Sequence, residues 1–207
     1  ADAVQTVVRK QTEVGVDVVS DGEQSKISYA TYIKHRLNGF DGDSPRRTPK
    51  DLEEYPAFSK RASSSGGVPT YSRPQCVGPI SVKDLKPLEV DLQNFKDALS
   101  ASESTDAFMN AASPGVIAQF QPNQHYPDHS SYLYALADAM KIEYEGIAEA
   151  GLVIQIDSPD LALGRHVLFK DQSDEEFVAM AELHIEALNH ALQNIPAEQL
   201  RLHVCWG

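Results

Sequence analysis

Near the end of the chain, His203-Val204-Cys205 sets an imidazole and a thiol two residues apart within the strand-like run Leu200 to Cys205. Successive strand side chains alternate between faces, so residues two apart project side by side. A nitrogen next to a thiolate sulfur suits zinc, whose borderline softness favours that donor pair. The same spacing also fits a core cysteine beside a hydrogen-bonded histidine. Two donors leave a tetrahedral site incomplete, and the rest would come from Cys76, another histidine or residues beyond Gly207. Asp157 follows the apolar run Leu152-Val153-Ile154-Gln155-Ile156 and precedes Ser158-Pro159-Asp160. A carboxylate at the end of a strand can grip an ammonium group, and an Asp before Ser-Pro can equally cap a turn. In Asp21-Gly22-Glu23-Gln24, after the run Val16 to Val19, Glu23 would face the same mouth; the plainer reading is Asp21 as a cap and Gly22 as a turn residue. Ser113, in Ser113-Pro114-Gly115, is a further candidate for substrate binding, and Gly78-Pro79 likewise reads as the end of a strand. His125 and His129 fit a polar loop before a helix, while His184 falls on an apolar stripe where a hydrogen-bonded core histidine is expected.

The elements that must carry these residues alternate. Helical spacing over Val4, Val7, Val8, Gln11 and Val14 closes on Gly15 and leads into a short strand, Val16 to Val19. A long excursion at about 25–70 follows, with a possible helix at Tyr29 to Leu37 and a stretch rich in Pro, Ser and Gly. Gln75 to Pro79 reads as a brief strand, Glu89 to Ala101 as a helix, Ala107 to Ala112 as a strand and Ser130 to Ala150 as the clearest helix. Its stripe is Leu133, Leu136, Met140, Tyr144 and Ile147. Leu152 to Ile156, almost wholly apolar, reads as a parallel strand covered on both faces. Ser173-Asp174-Glu175-Glu176 offers a capping box for a helix with the stripe Phe177, Met180, His184, Leu188 and Leu192, stopped by Pro196.

About five strands alternating with helices of this length predict an α/β fold with parallel pairing. A (β/α)8 barrel takes about 250 residues, so a single partial barrel over 1–207, lacking its first and last strands, fits the 207 residues present. Such a piece exposes strand edges and is not expected to fold alone as a monomer. Eighteen basic against thirty acidic residues give a net charge of −12, which repels rather than steers in nucleic acid. No membrane span or signal peptide is evident, and two cysteines, Cys76 and Cys205, fit a reducing compartment, so a cytoplasmic location is expected. Neither a glycine-rich nucleotide fingerprint nor a G-x-S-x-G elbow is present.

Three stretches, Gly15-Val16-Asp17-Val18-Val19-Ser20-Asp21-Gly22-Glu23, Ile154-Gln155-Ile156-Asp157-Ser158-Pro159 and Leu202-His203-Val204-Cys205-Trp206-Gly207, fall in order across nearly the whole chain. Together they resemble the C-terminal catalytic barrel of cobalamin-independent methionine synthase and its shorter single-barrel relatives. The resemblance implies a (β/α)8 barrel with zinc at its mouth, held in part by His203 and Cys205. In the synthases a Glu and a further Cys complete the set. It implies that Glu23 and Asp157 hold the amino group of homocysteine, and that a methyl group passes from 5-methyltetrahydrofolate, as its polyglutamate, to the thiol. Arg46, Arg47 and Lys50 are the local basic cluster that would meet a polyglutamate tail. Where the synthases continue the aspartate with Glu-Pro, this chain has Ser158-Pro159, and its loop Gln24 to Thr70 looks closer to shorter relatives with another donor or thiol. One such relative is epoxyalkane:coenzyme M transferase, whose sulfonate thiol has no ammonium for Glu23 and Asp157 to bind. A non-catalytic barrel is the remaining alternative. The partners expected are small molecules, with a homo-oligomer possible.

Overall fold

The computed structural model describes residues 1–44, 50–64 and 73–205. Helix α1 (Asp2–Glu13) leads into strand β1 (Val18–Ser20), buries Val4 and Val8, and clamps the strand through one side chain. Gln11 donates from Nε2 to the Ser20 carbonyl at 2.8 Å and accepts from the Ser20 N–H at 3.0 Å. A 3₁₀ turn (Thr31–His35) and strand β2 (Leu37–Asp41) follow, then helices α2 (Lys50–Glu54) and α3 (Pro56–Ser64). After β3 (Gln75–Val82) come α4 (Lys86–Ser100), β4 (Asp106–Ala112), α5 (Pro114–Phe120), α6 (His129–Glu149) and β5 (Val153–Asp157). Then α7 (Gly164–Val167), α8 (Asp174–Leu192) and β6 (Leu200–His203) close the order.

Strands β1, β4, β5 and β6 form one parallel sheet in chain order. Sequential parallel neighbours joined by helices are what a barrel wall requires, whereas a doubly wound sheet reverses its order at a switch point. One sheet face packs on the helices. Ala107, Met109 and Ala111 of β4 and Ile154 and Ile156 of β5 are buried against α6 residues Leu133, Leu136, Met140, Tyr144 and Ile147, the stripe expected from spacing. The other face carries the alternate residues Phe108 and Asn110, Gln155 and Asp157, and Arg201 and His203. The Arg201 guanidinium lies 3.9 Å from the Phe108 ring centroid. Both edges, β1 and β6, carry exposed apolar side chains, among them Val18 and Leu202.

Several expectations are corrected. The strand at Gln75 to Pro79 runs on to Val82 and does not join the parallel sheet; it pairs antiparallel with β2 in a separate two-stranded ribbon. Four strands rather than five therefore make the parallel wall among the described residues. The first strand is Val18–Ser20 rather than Val16 to Val19, because α1 continues through a turn to Gly15. The helix expected at Tyr29 to Leu37 is a 3₁₀ turn, and part of the excursion forms β2, α2 and α3. The last strand ends at His203, two residues before Cys205. The capping box at Ser173 forms as expected: Ser173 Oγ accepts from the Glu176 N–H, and the Glu176 carboxylate accepts from the Ser173 N–H.

Candidate functional site

The carboxyl ends of all four parallel strands converge on a cavity of about 270 Å³. Its lining is Glu23, Tyr29, Asn110, Gln155, Asp157, Pro159, Leu163, His203 and Cys205. Each strand contributes through its alternation. Asn110, Gln155 and Asp157 occupy positions on the face turned from the helices, and Cα pairing sets Asn110 opposite Gln155 and Asp157 opposite His203. The four residues singled out by motif, Glu23, Asp157, His203 and Cys205, thus meet in one cavity.

Asp157, buried, is held at both oxygens. Asn110 donates from Nδ2 to Oδ2 at 2.9 Å, and Gln155 donates from Nε2 to Oδ1 at 2.9 Å. Two neutral amides fix the carboxylate plane and leave each oxygen a further lone pair for a ligand. The turn-capping reading of Asp157 is not what its side chain does. Glu23 is presented by a sharp turn: Gly22 has φ 62° and Glu23 itself φ 54°, a left-handed conformation uncommon outside glycine. Asp21 fixes this turn, its Oδ1 accepting from the Glu23 N–H at 3.1 Å. The Glu23 Oε1 atom is buried and has no hydrogen-bond partner among the described residues. Burial raises the Glu23 pKa above the ordinary carboxylate value, Lys26 opposes the rise, and the charges of Asp157 and Asp21 add to it. Burial, with the negative charges of Cys205, Asp157 and Glu23, likewise pushes the Tyr29 phenol up to about 12, so it remains a neutral O–H donor at the mouth.

Other candidates lie elsewhere. Ser113 does not line the cavity. Its Oγ accepts from the Val116 N–H as the cap of α5 and donates to Asp160 Oδ1 at 2.9 Å. Cys76 is fully buried, its Sγ directed to the Gly78 carbonyl at 3.4 Å, and it cannot supply a donor at the cavity. His184 is the hydrogen-bonded core histidine expected: Nδ1 donates to Asp160 Oδ2 at 2.8 Å, and Nε2 meets His129 Nε2 at 2.9 Å. His125 is exposed in the loop before α6. Arg46 and Arg47 lie outside the described residues, and Lys50 is exposed at the start of α2.

The donor chemistry of His203 and Cys205, which share the cavity lining with Glu23, fits a zinc ion in part. No group of three His, Cys, Asp or Glu residues among those described is arranged to hold a metal. No helix among the described residues is long and apolar enough to cross a membrane. Sequence reasoning missed Lys26, Tyr29, Asn110, Gln155 and Leu163. For two of them a signal existed, since Asn110 and Gln155 are single amides interrupting apolar strands.

No family model matches the chain. Among curated proteins it is similar to methionine synthases of Saccharolobus solfataricus and Sulfurisphaera tokodaii, each 28% identical over 207 residues. These alignments take in 100% of this chain and 52% and 51% of the two relatives. A methionine synthase of Saccharolobus islandicus is 29% identical over 208 residues, again across the whole of this chain and 52% of its own length. The chain therefore spans about half the length of the curated relatives it matches. Among solved structures it is similar to a B12-independent methionine synthase from Shewanella sp. W3-18-1 in complex with selenomethionine. The TM-score is 0.71 at 22% identity, covering 100% of this chain and 51% of that one. The resemblance to the cobalamin-independent methionine synthases holds over the full chain, and the (β/α)8 fold class is borne out.

Proposed function

We propose that this chain forms the thiol-binding part of a zinc-dependent methyltransferase that moves a methyl group from 5-methyltetrahydrofolate to homocysteine, giving methionine. The observation that carries the reading is the meeting of Glu23, Asp157, His203 and Cys205 in one cavity. Similarity to methionine synthases over the full chain supports it.

Among the described residues the cavity lining contains two carboxylates, two amides and no lysine or arginine. Such a site suits a thiol bearing an ammonium group and offers a sulfonate no lysine or arginine counter-charge, so homocysteine is favoured over coenzyme M. Glu23 and Asp157 would grip the ammonium, Asn110 and Gln155 keep Asp157 oriented, and Leu163, Pro159 and the Tyr29 ring pack on the carbon chain. His203 and Cys205 would hold the zinc, with ligands from outside the described residues completing its shell. Bound zinc keeps the substrate sulfur a thiolate at neutral pH by lowering its pKa. The protein's own share is alignment: the anchored ammonium fixes where the sulfur stands relative to the donor's methyl carbon. The sulfur–methyl bond then forms as the N5–methyl bond breaks, and the departing N5 takes up a proton.

The test is an assay of the full-length protein with methyl-tetrahydrofolate and homocysteine, with and without chelator, and with coenzyme M as competitor. Turnover abolished by chelation and restored by zinc is expected, with coenzyme M a poor competitor. Turnover indifferent to chelation, or coenzyme M displacing homocysteine, overturns the reading. A non-catalytic barrel would hold no stoichiometric zinc by metal analysis.

A further inference from the structure

Lys26, three residues beyond Glu23, belongs to no motif and does not line the cavity, yet its side chain is only 2% exposed. Burying an ammonium is costly unless its hydrogens are used and its charge is balanced. One hydrogen is used by the backbone carbonyl of Asn110, 2.5 Å from Nζ. The ring centroid of Tyr32 lies 4.7 Å away, within cation–π range. The nearest carboxylate oxygen, Glu23 Oε1, is 4.0 Å away. A lysine serving only as a structural ion pair closes to hydrogen-bonding distance. Here the separation is too long for a hydrogen bond and short enough for strong attraction, and Oε1 is left without a hydrogen-bond partner among the described residues. Asp157 and Asp21 both act against a negative charge on Glu23, and Lys26 offsets them. Asn110 also joins the two acids: its carbonyl receives Lys26 and its side-chain amide holds Asp157.

We infer that Lys26 is a positioning residue for ammonium recognition: a buried counter-charge behind Glu23 that supports this acid's charge from the side of its buried oxygen and leaves the other oxygen to the substrate. The inference rests on the reading that Glu23 and Asp157 bind an ammonium group. It gives the site a way to hold two like charges around one small cavity before substrate arrives, and it ties the turn after β1 to the end of β4, where the second acid is anchored.

The experiment compares Lys26→Met and Lys26→Gln with the unsubstituted full-length protein, reading KM and kcat for homocysteine and the inhibition constant of 4-mercaptobutyrate, the same thiol without its amine. Lys26→Gln keeps a donor for the Asn110 carbonyl while removing the charge, and stands in if the methionine variant does not fold. Loss of the charge is expected to raise KM for homocysteine about tenfold, with kcat and the 4-mercaptobutyrate constant each within about twofold. Lys26→Arg should recover most of the loss in KM. An unchanged KM overturns the inference, as does a parallel weakening of both thiols, which a merely structural lysine would produce. Glu23→Gln separates this from failure of the underlying reading. If that variant also binds homocysteine normally, ammonium recognition itself is wrong; if it weakens homocysteine alone and the Lys26 variants do not, only the role of Lys26 falls.

Discussion

At the scale of single residues, the carboxylate of Asp157 owes its usefulness to two amides, Asn110 and Gln155, to which the sequence reading gave no role. Each holds one oxygen at 2.9 Å, and Gln155 is itself buried, 8% exposed, so it has little freedom to turn away. Replacing Asp157 by Asn removes a charge-assisted contact worth about 1.5–3 kcal/mol, so homocysteine affinity should fall about 10- to 100-fold. Gln155→Leu removes only an orienting hydrogen bond of about 1 kcal/mol and should weaken binding about fivefold. Calorimetric titration of the zinc-loaded protein checks the ranking; equal losses would mean that Asp157 does not touch substrate. Glu23, Asp157, His203 and Cys205 were legible because each sits at or just beyond the end of a parallel strand, although the last strand stops at His203 and strand alternation therefore does not set the direction of Cys205. Asn110 and Gln155 were legible only as interruptions of apolar runs. Lys26 carried no local signal, since its burial comes from Tyr32 and Asn110 folding over it. Ser113 and Cys76 show the converse: strand-end position and residue type suggested chemistry, and packing uses them for capping and for filling the core.

At the scale of elements, α8 is fastened to the end of β4 and to the turn after β5 by a row of polar side chains. Ser113 donates to Asp160, Asp160 accepts from His184 Nδ1, and His184 Nε2 faces His129 at the start of α6. The row fits because position 115 lacks a side chain: a Cβ there would lie 2.1 Å from Asp160 Oδ2 and 2.4 Å from His184 Nδ1. His184 Nδ1–H is committed to Asp160, and His184 Nε2 and His129 Nε2 share one hydrogen bond at 2.9 Å. Burial, reinforced by His184, lowers the His129 pKa to about 4, against the pull of Asp128 and Asp160. A histidine with a depressed folded pKa binds fewer protons in the native than in the unfolded state between that value and about 6.5. Stability is therefore full above about pH 6.5 and declines as pH falls toward 4. Allowing for partial exposure of the ring, the loss attributable to His129 is about 1–2 kcal/mol. Urea unfolding at pH 7 and pH 4.5 should show that much less acid sensitivity in His129→Gln; coincident slopes would refute the assignment. The same scale explains the misread strand. Gln75–Val82 contains Gly78 and Pro79 and alternates in burial, whereas β5 is almost continuously buried. Pro lacks the N–H a central strand donates on both sides, so the segment belongs in a two-stranded ribbon.

Across the whole molecule, the parallel wall and its helices were legible because long stripes at helical spacing and apolar strand runs leave few alternatives. The way the region after β1 returns to that wall was not, because it depends on ionic contacts between residues far apart in sequence. Arg36, just past the 3₁₀ turn and 5% exposed, bonds Asp91 of α4 at 2.5 Å and Glu143 of α6 at 2.7 Å. Tyr32 donates to the other oxygen of Glu143 at 2.5 Å, and the Arg36 guanidinium lies 4.7 Å from its ring centroid. One cation thus joins two helices to the segment that carries Lys26 and Tyr29 toward the cavity. Removing one partner from a buried ionic cluster leaves the others desolvated without compensation, and such losses run to about 3–5 kcal/mol. Arg36→Met should therefore lower unfolding free energy by about that amount and also weaken homocysteine binding, because the turn bearing Glu23 loses its support. Arg9 pairs with Glu13 at 2.8 Å, but both side chains are more than half exposed. Arg9→Ala should accordingly cost less than about 0.5 kcal/mol, although the crude contact looks equivalent. Urea unfolding of the two variants in the full-length protein decides between burial and mere proximity as the source of stability. Similar losses in both, or a negligible loss in Arg36→Met, would show that the Arg36 cluster does not hold the site-bearing segment in place.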